Sequence, residues 1–261
     1  LSTTHFNVVY PKEDLSLAQI IVDRFERAYA AVCGDLHCEI DPASRKLPRV
    51  LTMTLVLTQA ETFNTFDQGQ YVTMTLPSPR MMRIADSWGV PDDPIDAMAI
   101  DQLVVPIARI VSGGADRWFK SSDGLLFFNA ITNWERPRAG SVTEFILIDY
   151  RNNQLIRLAA HTVNDLTQPQ FIEQLHAANI IPLKALWSWP LYTPPDNNML
   201  KLMEIEAASA IAYIQFTYKR DGVPRLLFAL AAAQSLPAAI QQSFGTKYED
   251  FEKAWLKWLG R

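Results

Sequence analysis

The sequence predicts an α+β fold: a twisted N-terminal sheet with helices, followed by a mainly helical C-terminal lobe. Two patterns carry this. Up to Leu76, short runs in which apolar residues alternate with Thr, or β-branched residues cluster, stand on either side of one long helical pattern. In the last third, apolar residues recur at helical spacing in one segment after another, with Gly222 and Gly245 as breaks.

Each element has its own justification. His5–Tyr10 is a strand stopped by Pro11, and Leu15–Val32 is a helix because Leu17, Ile20, Ile21, Phe25 and Tyr29 repeat at helical spacing. Val50–Leu57 and Gln70–Leu76 alternate apolar and polar residues and form two further strands. Pro77, Pro79, Pro91 and Pro94 mark a loop leading into a helix from near Ile95 to about Val111, stopped by Gly113-Gly114. Pro106 inside that helix predicts a bend or a later start, since an interior proline costs about 3 kcal/mol. Trp118–Asn133 gives a short turn and then a buried helix, and Val142–Ile148 with Gln154–Ala159 gives a hairpin around Arg151-Asn152-Asn153. Helices are expected over Gln170–Ala178, Lys201–Lys219, Pro224–Ala233, Leu236–Phe244 and Tyr248–Leu259. The pattern divides the chain into lobes 1–140 and 141–261 that form one compact unit.

The 261 residues are 49% hydrophobic and 20% charged, enough to bury a substantial core. The formal charge is −4, and the basic residues are scattered rather than gathered into a stripe, which disfavours a nucleic-acid partner. No apolar run reaches bilayer-spanning length, and no signal-peptide pattern opens the chain. The start Leu1-Ser2-Thr3-Thr4, without an initiator Met, suggests a longer precursor that carried an export signal or anchor, and hence an extracytoplasmic setting. Cys33 and Cys38 form a local disulfide if the protein is exported and remain two buried thiols if it is not. They supply too few ligands for a structural zinc site.

Three places resemble a known family. His5–Tyr29 is similar to an opening strand followed by an amphipathic helix. Ile181–Leu186, Ala212–Phe216 and Gly245–Trp255 are similar to the segments "lPL-x-x-L", "AY-x-Q-S" and "G-x-s-x-x-x-fe-x-x-W". Asp101-Gln102-Leu103-Val104-Val105 stands in the place of His-Glu-Leu-x-His, and Trp118–Leu126 in that of "W-L-x-E-G-L-A". Together they resemble the peptidase MA-like branch of the gluzincin zinc metallopeptidases, over nearly the whole chain. The resemblance implies a zincin-like form of the α+β class, in which Asp101 stands at the first zinc ligand, Gln102 at the general base, Val105 at the second ligand and Asp123 at the third.

All four positions are altered. Val105 has no atom that can ligate a metal, and Gln102 has no ionisable group to take a proton from a zinc-bound water. The expectation is a degenerate member with no zinc, no other cofactor and no hydrolytic activity. Asp101 and Asp123 alone make a weak site for Ca²⁺ or Mg²⁺. His5, His37, His161 and His176 form no i, i+4 pair, and no G-x-S-x-G, P-loop or G-x-G-x-x-G is present.

Tyr213 matches a recurring family tyrosine and either lines the former cleft or packs between helices. Trp118 is a further cleft-lining candidate. Trp187 and Trp189, followed by Pro190, Tyr192, Pro194 and Pro195, form either a binding lip or a lid over the helical lobe. The function expected is therefore a pseudoenzyme whose cleft binds a peptide, a protein or a small ligand. Two alternatives stay open: a hydrolase with a site rebuilt around Asp101, Gln102 and Asp123, and a structural or interaction domain of a larger extracytoplasmic protein.

Overall fold

The computed structural model describes residues 1–38, 53–58, 64–67, 72–77, 83–84, 94–112, 124–139, 144–149, 154–160, 166–188, 196–233 and 235–261. The chain divides into two compact units, neither of them a continuous stretch. Unit 1 comprises Leu1–Gly34, Cys38–Ile110 and Arg136–Thr162; unit 2 comprises Asp35–His37, Val111–Glu135 and Val163–Arg261.

Unit 1 opens with strand β1 (Phe6–Val9), whose Phe6 and Val8 are buried while Asn7 and Val9 face outward, the period-two pattern of a strand with one covered face. Helix α1 (Leu15–Leu36) presents Ala18, Ile21, Val22, Phe25, Ala28, Tyr29 and Val32 as one buried stripe at helical spacing. Phe6 meets Phe25 and Tyr29 edge-on, with ring centroids 5.7 and 6.3 Å apart, so strand and helix share a core. Strands β2 (Met53–Thr58), β3 (Asn64–Asp67) and β4 (Val72–Pro77) complete a four-stranded sheet in the order β1-β2-β4-β3. Its β1-β2 and β2-β4 pairs are parallel, and β3-β4 is antiparallel.

A second sheet joins β5 (Arg83–Ile84), β6 (Glu144–Asp149) and β7 (Gln154–Ala160), all antiparallel. The β6-β7 register runs from Glu144↔Ala160 to Asp149↔Gln154, as a hairpin requires, and shifts between Phe145 and Ile146. Helix α2 (Pro94–Val111) begins on Pro94, a favoured first helical residue because its missing N–H has no intrahelical partner there. It runs through Pro106 to Val111 as one element. Helix α3 (Leu125–Ala139) follows, longer at its C-terminal end than the hydrophobic pattern suggested.

Unit 2 is helical. It contains α3 as far as Glu135, together with α4 (Gln168–Leu175), α5 (Leu183–Trp187), α6 (Asn197–Tyr218), α7 (Gly222–Ala232), α8 (Leu236–Phe244) and α9 (Tyr248–Trp258). Helix α6 is capped by Asp196, whose carboxylate accepts the Met199 amide at 2.7 Å. Its buried face of Met203, Ile205, Ala207, Ala210, Ile211 and Ile214 makes it the centre of the unit's core. Gly222 permits the tight step from α6 to α7, because a Cβ there would come within 2.8 Å of Tyr218 and 2.9 Å of Ile214. Gly245 ends α8 at φ 67°, the left-handed conformation that favours glycine.

The α+β, zincin-like class expected from the sequence is corrected by this structure. Most described residues are helical, and the strands are short and split between two small sheets instead of forming one twisted sheet that organises an N-terminal lobe. The local patterns marked most segments, but a strand of two to seven residues carries little of the chain beside helices of up to 22. Which strands share a sheet is decided by pairing between distant segments, which alternation within one segment does not encode.

Candidate functional site

Helix α2 carries Asp101, Gln102 and Val105. Leu103, Val104, Ile107 and Ala108 on the same helix are fully buried, so apolar packing fixes its rotation and leaves Gln102 and Val105 half-buried. Gln102 and Val105 are three residues apart and therefore lie on neighbouring positions of one face. The side chain of Asp101 is outside the described residues, as are Trp118, Asp123 and Trp189 entirely. The donor set on α2 does not fit zinc, since Val105 offers no lone pair and Gln102 only a neutral amide. Among the described residues, no group of three or more His, Cys, Asp or Glu side chains is placed to hold a metal ion.

Two of the aromatic candidates, Tyr213 and Trp187, are described, and both are taken up by packing. Tyr213 is 7% exposed, with Phe251 edge-on at 5.4 Å and Trp258 at 5.9 Å. Trp187 is buried, its ring 6.0 Å from Phe127, and its carbonyl accepts the Gly124 amide. Among the described residues of this unit the exposed aromatic is Phe216, beside Trp258 and with the Lys219 ammonium 5.2 Å from its ring centroid. Cys33 and Cys38 are joined in a disulfide with Cα atoms 5.0 Å apart, and the Cys38 amide donates to the Cys33 carbonyl at 3.1 Å, closing the end of α1.

Two polar constellations went unread in the sequence. In the first, Glu252 accepts the Leu183 amide and the Tyr248 hydroxyl, and that hydroxyl accepts the Lys184 amide. Burial, reinforced by the Glu252 carboxylate, raises the Tyr248 pKa well above its ordinary value, so the phenol stays protonated as donor. In the second, the fully buried Glu206 accepts the Ile181 amide at 3.1 Å. Ser209 donates to the Glu206 carbonyl at 2.7 Å and accepts the Trp255 indole at 3.1 Å. The available signal for Glu206 was its place within the apolar stripe Met203, Ile205, Ala207 and Ala210, where a carboxylate needs a partner. All three C-terminal segments of the family resemblance contribute to this packing, through Ile181–Lys184, Tyr213 and Tyr248–Trp255.

In unit 1, Glu26 gathers the chain's opening turn. It accepts the Thr3 hydroxyl, the His5 amide at 2.9 Å and the His5 ring nitrogen at 2.6 Å, while the His5 ring stacks on Tyr29 at 3.9 Å. Burial pushes the Glu26 pKa up, but the hydrogen bonds from His5 and Thr3 outweigh it and hold the carboxyl below its ordinary value. The chain matches no family model, no curated protein and no solved structure.

Proposed function

We propose that the chain acts by binding a peptide or small ligand rather than by hydrolysing one, as a relative of the gluzincin peptidases that has lost their metal chemistry. One observation carries this. Where such an enzyme needs a general base and a second zinc ligand, helix α2 presents an amide, Gln102, and an alkyl group, Val105. Neither can activate a water, and both are half-buried rather than sealed in the core, so a ligand can reach them. Support for the relationship comes from the motif-bearing segments of unit 2, which pack on one another through Glu206, Tyr213, Tyr248 and Glu252. The Cys33–Cys38 disulfide supports an extracytoplasmic setting, because such bonds persist in oxidising compartments.

The test has two arms. Purified protein equilibrated with zinc is assayed for metal content and for cleavage of an unstructured protein, and separately titrated with a library of extended peptides. Saturable peptide binding without metal-dependent cleavage is expected. Stoichiometric zinc together with chelator-sensitive cleavage overturns the proposal.

A further inference from the structure

Glu206 is a carboxylate with an uneven set of partners. One oxygen accepts the Ile181 amide at 3.1 Å, while the other is buried with no hydrogen-bond partner among the described residues. Ile181 lies in the linker between α4 and α5, so this bond ties the linker to the central helix α6. The linker's start is held by Arg261, whose guanidinium donates to the carbonyls of Leu175, His176 and Ala178. Glu206 is thus the buried member of a clasp closed by polar contacts at both ends of one segment.

We propose that Glu206 is a proton-linked latch: its neutral carboxyl keeps the 176–182 linker and α5 docked on α6, and its ionisation loosens them. The physical reason is the unpaired oxygen. A neutral carboxyl can sit in a dry site with one bond, whereas a full charge there lacks the solvation it would regain if the linker opened to water. Burial accordingly raises the Glu206 pKa from 4.5 to about 7, against the opposing pull of the Ile181 amide and the Arg261 charge. The folded value lies above the unfolded one, so the latch's contribution is complete below about 4.5 and declines as pH rises. It is lost above about 7.

The charged groups on the neighbouring elements are either engaged elsewhere or exposed. Glu252 and Tyr248 on α9 hold the start of α5, where Lys184 is exposed. Glu173 and His176 at the end of α4 are exposed, and Arg225 on α7 pairs with Asp221. Arg261 is the charge that acts on Glu206.

Amide hydrogen exchange of the full chain, followed for peptides covering 176–187 and corrected for the intrinsic pH dependence, tests the latch. Protection of this segment is expected to fall by about tenfold or more between pH 5 and 8, with peptides from α8 as the internal reference. In Glu206→Gln, which keeps the acceptor and removes the proton, protection stays level. Should that variant fail to fold, Arg261→Gln decides: loss of the opposing charge moves the midpoint to higher pH. Equal protection of the wild type at pH 5 and 8, a persisting fall in Glu206→Gln, or an unmoved midpoint in Arg261→Gln overturns the latch.

Discussion

The Glu252 carboxylate accepts the Leu183 amide at 2.9 Å, across 69 residues of sequence, and so caps helix α5 from helix α9. Helix α5 needs this help because Pro182, at its N-cap position, has no side chain able to accept the first free amides. Tyr248 takes the next amide, that of Lys184, at 2.9 Å. Glu252→Ala is expected to cost about 1–2 kcal/mol and Tyr248→Phe about 1 kcal/mol, by the usual worth of a cap and of a partly buried hydrogen bond. The two share a hydrogen bond, so a double-mutant cycle in urea should give losses that do not add. Strict additivity would show that the residues do not cap as a pair.

Gly222→Ala should destabilise by about 1–3 kcal/mol, the ordinary range for overpacking. The added methyl meets Ile214 at 2.9 Å and its carbonyl oxygen at 3.0 Å, and backbone cannot swing away as a flexible side chain can. Gly34→Ala is the control: its Cβ meets nothing within 4 Å, and alanine there should be neutral or stabilising. Thermal melts of the two variants, compared with the parent, check both expectations.

Reduction of Cys33–Cys38, or replacement of both by Ser, should lower stability by about 2 kcal/mol, the loop-closure value for so short a ring. The cysteines are only 5 positions apart, so the bond stiffens one helix end and constrains little else of the unfolded chain. Melts with and without a dithiol reductant provide the measurement, and a fall much larger than this would mean that the bond anchors more than the end of α1.

Unit 1 should lose stability in acid through Glu26. Its pKa is lowered by the fold, so its contribution is present above the ordinary carboxylate value and disappears as pH falls through the lowered one. Glu26→Gln is expected to flatten this acid limb in pH-dependent unfolding followed by a unit 1 probe, and an unchanged limb would remove Glu26 from the account. The direction is opposite to that of Glu206, so the two carboxylates leave separable signatures in one titration.

Local structure was legible where one segment carries its own signal. The helix Leu236–Phe244 was expected with these boundaries, since Ser235 accepts the Ala238 amide at one end and Gly245 stops the other. The helix expected from Lys201 begins four residues earlier, because Asp196 caps it. Strands β3 and β5 were missed: Asn64–Asp67 has Phe66 as its one apolar residue, and Arg83–Ile84 is too short to show alternation. Tyr213 illustrates the limit at the site, because a phenol packs against Phe251 or faces a cleft with the same neighbours in sequence. The Leu183–Glu252 and Ile181–Glu206 bonds depend on residues far apart in sequence, and no periodicity announces them.

The interleaving of the two units sets the order in which the chain can finish folding. Strand β5 waits for β6 to emerge some sixty positions later, and Val111–Glu135 belongs with helices that are made after β7. Pairings of this span raise the contact order and slow folding, and during synthesis each unit holds an unsatisfied partner until the other has been partly made. Cutting after residue 140 therefore separates no independent half: it strips the β6-β7 hairpin from the first piece and leaves the second without α3.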